Sequence, residues 1–144
     1  MKLVKHIIDS KGNEIWHITP NDSVLDAIKM MAEKKIGALL VMQDEKLSGI
    51  VSERDYARKV ILQGKSSRET PVEDIMTAEV FVIDPTETVE KCMELMTEKR
   101  IRHLPVVEDG KVVGVLSIGD LVKAIIAEQQ YQIEQLESYI TTGY

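Results

Sequence analysis

The sequence holds one cysteine, one tryptophan, one phenylalanine and three histidines in 144 residues. A lone Cys92 forbids an internal disulfide and fits a reducing compartment. No Cys/His spacing resembles a zinc site, so metal-dependent chemistry is not expected. No apolar run approaches the roughly 20 residues of a membrane-spanning helix, so a membrane partner is not expected. The opening Met1-Lys2-Leu3-Val4-Lys5-His6 lacks the apolar stretch of a secretory signal, which points to the cytoplasm. Cationic charge is also scarce. Eighteen Lys and Arg against 24 Asp and Glu leave a net charge of −6, which argues against nucleic acid as the main partner. Finally, no nucleophile with its base and no paired acids are legible, so an enzyme is not expected.

What is present is apolar material for one globular body, with 44% hydrophobic and 29% charged residues. It is arranged as a duplication. A shift of 65 positions lays Ile18-Thr19-Pro20 on Ile83-Asp84-Pro85, Val24 on Val89, Met31 on Met96 and Glu33-Lys34 on Glu98-Lys99. Without a gap the match continues through Ile36 and Ile101, Leu39 and Leu104, Val41 and Val106, Gly49 and Gly114, Ser52 and Ser117, and Asp55 and Asp120. Each half is too small to bury its apolar face well alone, so the two are expected to pack together across a symmetric interface.

Within each repeat a short strand is expected before Pro20 or Pro85, where the residue preceding proline favours extended backbone. A helix follows, with Asn21 and Thr86 as candidate N-caps and the stripes Val24, Ala27, Ile28, Met31 and Val89, Cys92, Met93, Met96 at helical spacing. This places Cys92 in the core. Next come strand pairs, Ala38 to Met42 with Leu47 to Val51, and Leu104 to Val107 with Val112 to Leu116. The second pair flanks Asp109-Gly110, a strong hairpin signal. A second helix starts past Ser52 or Ser117, and its first copy ends near Gly64, suited to a left-handed cap. The order is β-α-β-β-α, twice. Residues 65–71 read as the connecting loop. From Leu121 to Ile140 the apolar spacing of Val122, Ile125, Ile126, Ile133, Leu136 and Ile140 predicts a helix longer than its counterpart. Its excess length either packs on a partner subunit or stands in solvent.

Both strand pairs end alike, in Gly49-Ile50-Val51-Ser52-Glu53-Arg54-Asp55 and Gly114-Val115-Leu116-Ser117-Ile118-Gly119-Asp120. Glycine in a strand permits close backbone approach. A serine at the strand-to-helix junction lies beside free N–H groups that favour an anion, and the aspartate one turn on can accept hydrogen bonds from a ribose diol. The alternative is a plain capping box, with Ser52 and Ser117 as N-caps and Asp55 and Asp120 at N3.

The ungapped duplication, the proline-led helix, the hairpin and the doubled Gly-x-x-Ser-x-x-Asp ending resemble a tandem pair of cystathionine-beta-synthase (CBS) domains over roughly Ile7 to Ala127. The stretches Ser52-Glu53-Arg54-Asp55-Tyr56 and Arg102-His103-Leu104-Pro105-Val106 look most like the small stand-alone subgroup. The resemblance implies an α/β (α+β) fold of two repeats related by a pseudo-two-fold axis, at residues 7–66 and 74–130, with a C-terminal helical extension at 131–144. It implies a non-catalytic regulatory sensor, of cellular energy among other signals, that binds AMP, ADP, ATP, NAD(H) or S-adenosylmethionine in the cleft between the repeats. The expected assembly is a homodimer, with output to an unidentified protein target. The alternative is a ligand-independent interaction module acting through its dimer surfaces and C-terminal helix.

Carried over by residue, the resemblance implies two sites. The first takes Ser52, Arg54, Asp55 and Arg58, with Lys59 beside them, Ile101, Arg102 and His103 opposite, and Val80 and Phe81 near the base. The second takes Ser117 and Asp120, with Ile36, Gly37 and Ala38 opposite and Ile15, Trp16 or Ile18 near the base. Because Gly119 stands where the first has Arg54, the second is expected to offer little charge for extra phosphates. Trp16 either stacks on an adenine or plugs the core. His103 is a candidate pH-sensitive phosphate contact.

Overall fold

The computed structural model describes residues 2–12 and 14–142. Its elements run α1 (Val4–Lys11), β1 (His17–Ile18), α2 (Val24–Lys34), β2 (Ala38–Gln43), β3 (Lys46–Ser52), α3 (Glu53–Tyr56), a π-helical segment (Ala57–Ile61), a 3-10 turn (Val72–Asp74), α4 (Val89–Lys99), β4 (His103–Glu108), β5 (Lys111–Ser117) and α5 (Ile118–Thr142). This is the mixed α+β order read from the sequence, doubled. Gly143 and Tyr144, the end of the predicted extension, lie outside the described residues. No described helix is long and apolar enough to cross a membrane.

The described residues divide into two units, one of residues 14–81 with 109–112, the other of residues 2–12, 82–108 and 113–142. In the first, β1 runs parallel to β2 and β2 antiparallel to β3, in the order β1-β2-β3. Ile18 opposite Val41 and Ala38 opposite Ser52 fix the register. Leu39 and Val41 of β2, Val51 of β3 and the 3.6-residue stripe Val24, Ala27 and Met31 of α2 meet in a core with Val60, Val72 and Ile75, and Leu40 between them on β2 is buried as well. In the second unit β4 and β5 form the hairpin, and the strand before Pro85 shrinks to one parallel bridge, Ile83 to Val106. Cys92 is fully buried there, among Val89, Met96, Leu104, Val106, Leu116 and Leu121. Burial, aided by the charge of Glu87, pushes its thiol up to about 11, so it is a core residue and no thiolate.

Helix α1 is an addition to the predicted order. Val4, Ile7 and Ile8 recur at helical spacing and are buried in the second unit's core, each side chain stabilising it by about 1.5–3 kcal/mol. Ile7, placed at the start of the first repeat by the sequence reading, thus packs with the second. The segment before the second repeat behaves reciprocally. Val72 and Ile75 lie in the first unit's core, and Thr77 pairs with Ile50 through N–H bonds of 2.9 and 3.0 Å. Residues 65–71 do form a loop, but it is tied down: Val24 N donates to Thr70 O and Leu25 N to Ser67 O, both at 2.9 Å. Buried Thr70 is satisfied by its own 2.6 Å bond to Ser66 O.

The helix starts fall two residues later than predicted. Ser23 caps α2, its Oγ accepting from Asp26 N at 3.1 Å, and Thr88 caps α4, its Oγ1 accepting from Lys91 N at 3.1 Å. Asn21 lies in the preceding turn, and Thr86 donates its N–H and hydroxyl to Asp84 Oδ1 instead. Gly64, as expected, takes a positive φ of 67° at the end of the first repeat.

Candidate functional site

Both Gly-x-x-Ser-x-x-Asp endings adopt the same geometry. In the first repeat Ser52 ends β3 and caps the following helix, its Oγ accepting from Asp55 N at 3.2 Å. Asp55 Oδ2 accepts in return from Ser52 N at 3.0 Å and from its hydroxyl at 3.1 Å. In the second, Ser117 Oγ accepts from Asp120 N at 3.1 Å and Asp120 Oδ2 from Ser117 N at 2.8 Å. The capping-box reading is therefore realised in both copies. It holds each serine and each carboxylate in a fixed, half-buried position at a helix start, so the box also pre-orients the groups that a ligand would meet.

The strand that begins each hairpin lies beside the same repeat's motif. Glu53 N donates to Gly37 O at 3.1 Å, and Ile118 N to Arg102 O at 2.9 Å. Ile36, Gly37 and Ala38 thus adjoin Ser52 and Asp55 in one unit, and Ile101, Arg102 and His103 adjoin Ser117 and Asp120 in the other. The pairing of each motif with the opposite repeat's strand remains a proposal. Arg54, Arg58 and Arg102 are exposed, and among the described residues none of their guanidinium groups is held by a hydrogen bond or ion pair. Val80 is half-buried and Phe81 is exposed in the first unit. Trp16 packs with Ile18 against that unit's core, while Ile15 is half-buried nearby in sequence. The Trp16 ring is covered by Lys34 Nζ, 4.1 Å from its centroid, so an adenine stacking on that face would have to displace the ammonium.

Each motif carboxylate also holds a lysine. Lys59 Nζ lies 3.2 Å from Asp55 Oδ1 and 2.9 Å from Ile75 O. Lys11 Nζ, from the last turn of α1, lies 2.7 Å from Asp120 Oδ2 and 2.8 Å from Val115 O. Burial alone would raise the Asp120 carboxyl, but Lys11 and the Ser117 hydrogen bonds together outweigh it and hold the pKa below the ordinary carboxylate value. His103 is pushed down by burial first and then by the charge of Lys11, against an upward pull from Asp120, with Arg102 adding the least. Lys11 is the residue that sequence reasoning missed. It sets a cation on Asp120 where the sequence reading named none, and its sequence signal is a position in line with Val4, Ile7 and Ile8.

A family model described as the CBS domain matches residues 4–61 and 72–127. The chain belongs to the CBS-domain family. It is 41% identical over 151 residues to the mitochondrial CBS domain-containing protein CBSX3 of Arabidopsis thaliana, covering 98% of this chain and 73% of that one. A putative signal-transduction protein with CBS domains from Burkholderia ambifaria is 54% identical, with a TM-score of 0.86 over 89% of this chain and 96% of that one. At 28% identity and a TM-score of 0.79, covering 89% and 98%, the chain also resembles the CBS domain pair of protein MJ0100. That structure is a complex with 5′-methylthioadenosine and S-adenosyl-L-methionine. A CBS pair is a regulatory module.

Proposed function

We propose that this CBS pair binds adenine nucleotides, AMP, ADP, ATP or NAD(H), at its two Ser/Asp motifs and signals occupancy through its conformation or assembly. The observation that carries the reading is the doubled motif: in each copy a serine hydroxyl and an aspartate carboxylate are fixed at a helix start by reciprocal bonds of 2.8 to 3.2 Å. A carboxylate matches a ribose diol, and a serine at a helix start, with lysine and arginine near, matches a phosphate. The ligands of the MJ0100 pair, both adenosine compounds, support the class. In this reading Ser52, Arg54, Asp55, Arg58, Val80 and Phe81 belong to the first site. Ser117 and Asp120 belong to the second, and the strand entries Ile36 to Ala38 and Ile101 to His103 supply the walls. Ligand that prefers one conformation shifts the population toward it, and a partner reads the shift. The proposed assembly is a homodimer and the proposed compartment the cytoplasm, although the plant relative is by its name mitochondrial.

Isothermal titration of ligand-stripped protein with AMP, ADP, ATP, NADH and S-adenosylmethionine tests this. Saturable binding is expected, weakened by Asp55→Ala at one site and by Asp120→Ala at the other. Equal binding in both variants and the parent overturns the site assignment. Absence of heat with every ligand would favour a second reading, an interaction module, which rests on α5. That helix exposes Ile126, Ile133, Leu136 and Ile140 on a length that its counterpart in the first repeat lacks.

A further inference from the structure

The lysine on Asp120 has no counterpart in the repeat pattern. The position equivalent to Lys59 is Ala124, which is buried in the second unit's core, and the cation comes instead from Lys11, 109 residues away. The Lys11 side chain is 41% exposed and that of Asp120 19%, so this ion pair lies at the protein surface. The Lys11 charge is also felt at His103, next to Arg102, whose carbonyl is bonded to the start of α5. Lys11 thus sits directly on the motif carboxylate, and its charge extends to the strand that adjoins the motif.

The geometry points to Lys11 as a specificity-determining residue of the second motif, selecting phosphorylated adenosine ligands over uncharged ones. This inference rests on the proposed binding of a ribose diol by Asp120. A diol that takes the carboxylate displaces the ammonium from a charge-assisted bond, which is about twice as strong as a neutral one. An uncharged nucleoside gives nothing back. A nucleotide offers its phosphate to the released ammonium, which swings on a four-carbon stem with three donors. A cationic ligand is disfavoured further, since it meets Lys11 without an anion to offer.

Isothermal titration with AMP and with adenosine decides this, using Asp55→Ala protein so that the second motif is read alone. AMP is expected to bind at least about tenfold more tightly than adenosine, the least that one charged hydrogen bond supplies. Adding Lys11→Met, which keeps most of the apolar stem, should weaken AMP by about tenfold while leaving adenosine unchanged or tighter, because the carboxylate is then free. Lys11→Arg should restore most of the preference for AMP, and an unchanged helical circular-dichroism signal in both variants confirms that α1 stays docked. A ratio of AMP to adenosine affinity that Lys11→Met leaves unchanged overturns the role of Lys11 while leaving nucleotide binding intact. Failure of both ligands to bind the parent and the Asp55→Ala protein overturns the binding proposal itself.

Discussion

The two repeats share a register and a motif, yet they neutralise the motif aspartate by different routes. In the first, Lys59 comes from the same helix four residues on; in the second, Lys11 comes from a separate helix. The difference follows from the backbone. The π-helical segment Ala57–Ile61 adds a residue to the turn, so Val60 faces the core and Lys59 is left to reach Asp55. α5 is a regular helix, and there Leu121 and Ala124 face the core, so the position equivalent to Lys59 holds a small buried side chain. A half-buried carboxylate needs a cation in either case, and the fold meets that need locally or from a distance.

The largest test of this comparison concerns the glycines that let the neighbouring segments approach. A Cβ on Gly49 would lie 2.7 Å from Thr77 O and 2.8 Å from Met76 Sδ, and one on Gly114 would lie 2.5 Å from Ile8 Cδ1. The Thr77 carbonyl is pinned by its bond to Ile50 N, whereas the Ile8 methyl is the end of a side chain that can turn. Gly49→Ala should therefore cost about 3 kcal/mol and Gly114→Ala about 1 kcal/mol in urea unfolding, the upper and lower ends of overpacking costs. Equal losses would mean that the two segments are held with the same stiffness.

A second contrast is in titration. His103 falls where the first repeat has Ala38, so only the second repeat carries a histidine at the entry to its hairpin. Its pKa lies below the ordinary 6.5, through burial first and then through Lys11 and Arg102, with Asp120 pulling the other way. The folded state then binds fewer protons at this group than the unfolded chain does. Stability is fully present above 6.5 and declines as pH falls from there toward the folded pKa. Asp120 acts in a separate window: its contribution persists above 3.8 and is lost as pH falls through its lowered folded value. His103→Gln should flatten the slope of stability between pH about 7 and 5. A slope unchanged by the substitution would place that titration elsewhere.

Much of this was legible in the sequence, because strand and helix periods and the duplication at 65 positions are local or repeated signals. Ala38 to Met42, Leu47 to Val51 and the two helix stripes all appear within a residue or so of their expected places. What escaped was decided over distance or by competing side chains. Helix α1 has only eight residues and is held by packing its Val4, Ile7 and Ile8 into the second unit's core, which no local propensity reveals. Asn21 lost the cap to Ser23, where the backbone is extended and Asp26 N lies within reach. The motifs were legible down to the Ser–Asp box, whereas the Lys11 partner depends on a contact 109 residues away that spacing cannot show.

The smallest test lies at the hairpin tips. Both turns place two residues at positive φ, Asp44 at 52° and Glu45 at 65° in the first repeat, Asp109 at 52° and Gly110 at 78° in the second. This is the two-residue turn whose twist matches the flanking strands, and it favours glycine at its second position. Glu45 therefore holds a left-handed conformation that costs a residue with a Cβ about 1 kcal/mol, partly offset by the freedom glycine would gain in the unfolded chain. Glu45→Gly should stabilise the protein by about 0.5 kcal/mol, and Gly110→Glu should destabilise it by a similar amount. Matched changes of opposite sign in urea midpoints would show that this residue sets the difference in turn stability between the two hairpins; a loss on Glu45→Gly would mean that the Glu45 side chain contributes more than its strained backbone costs.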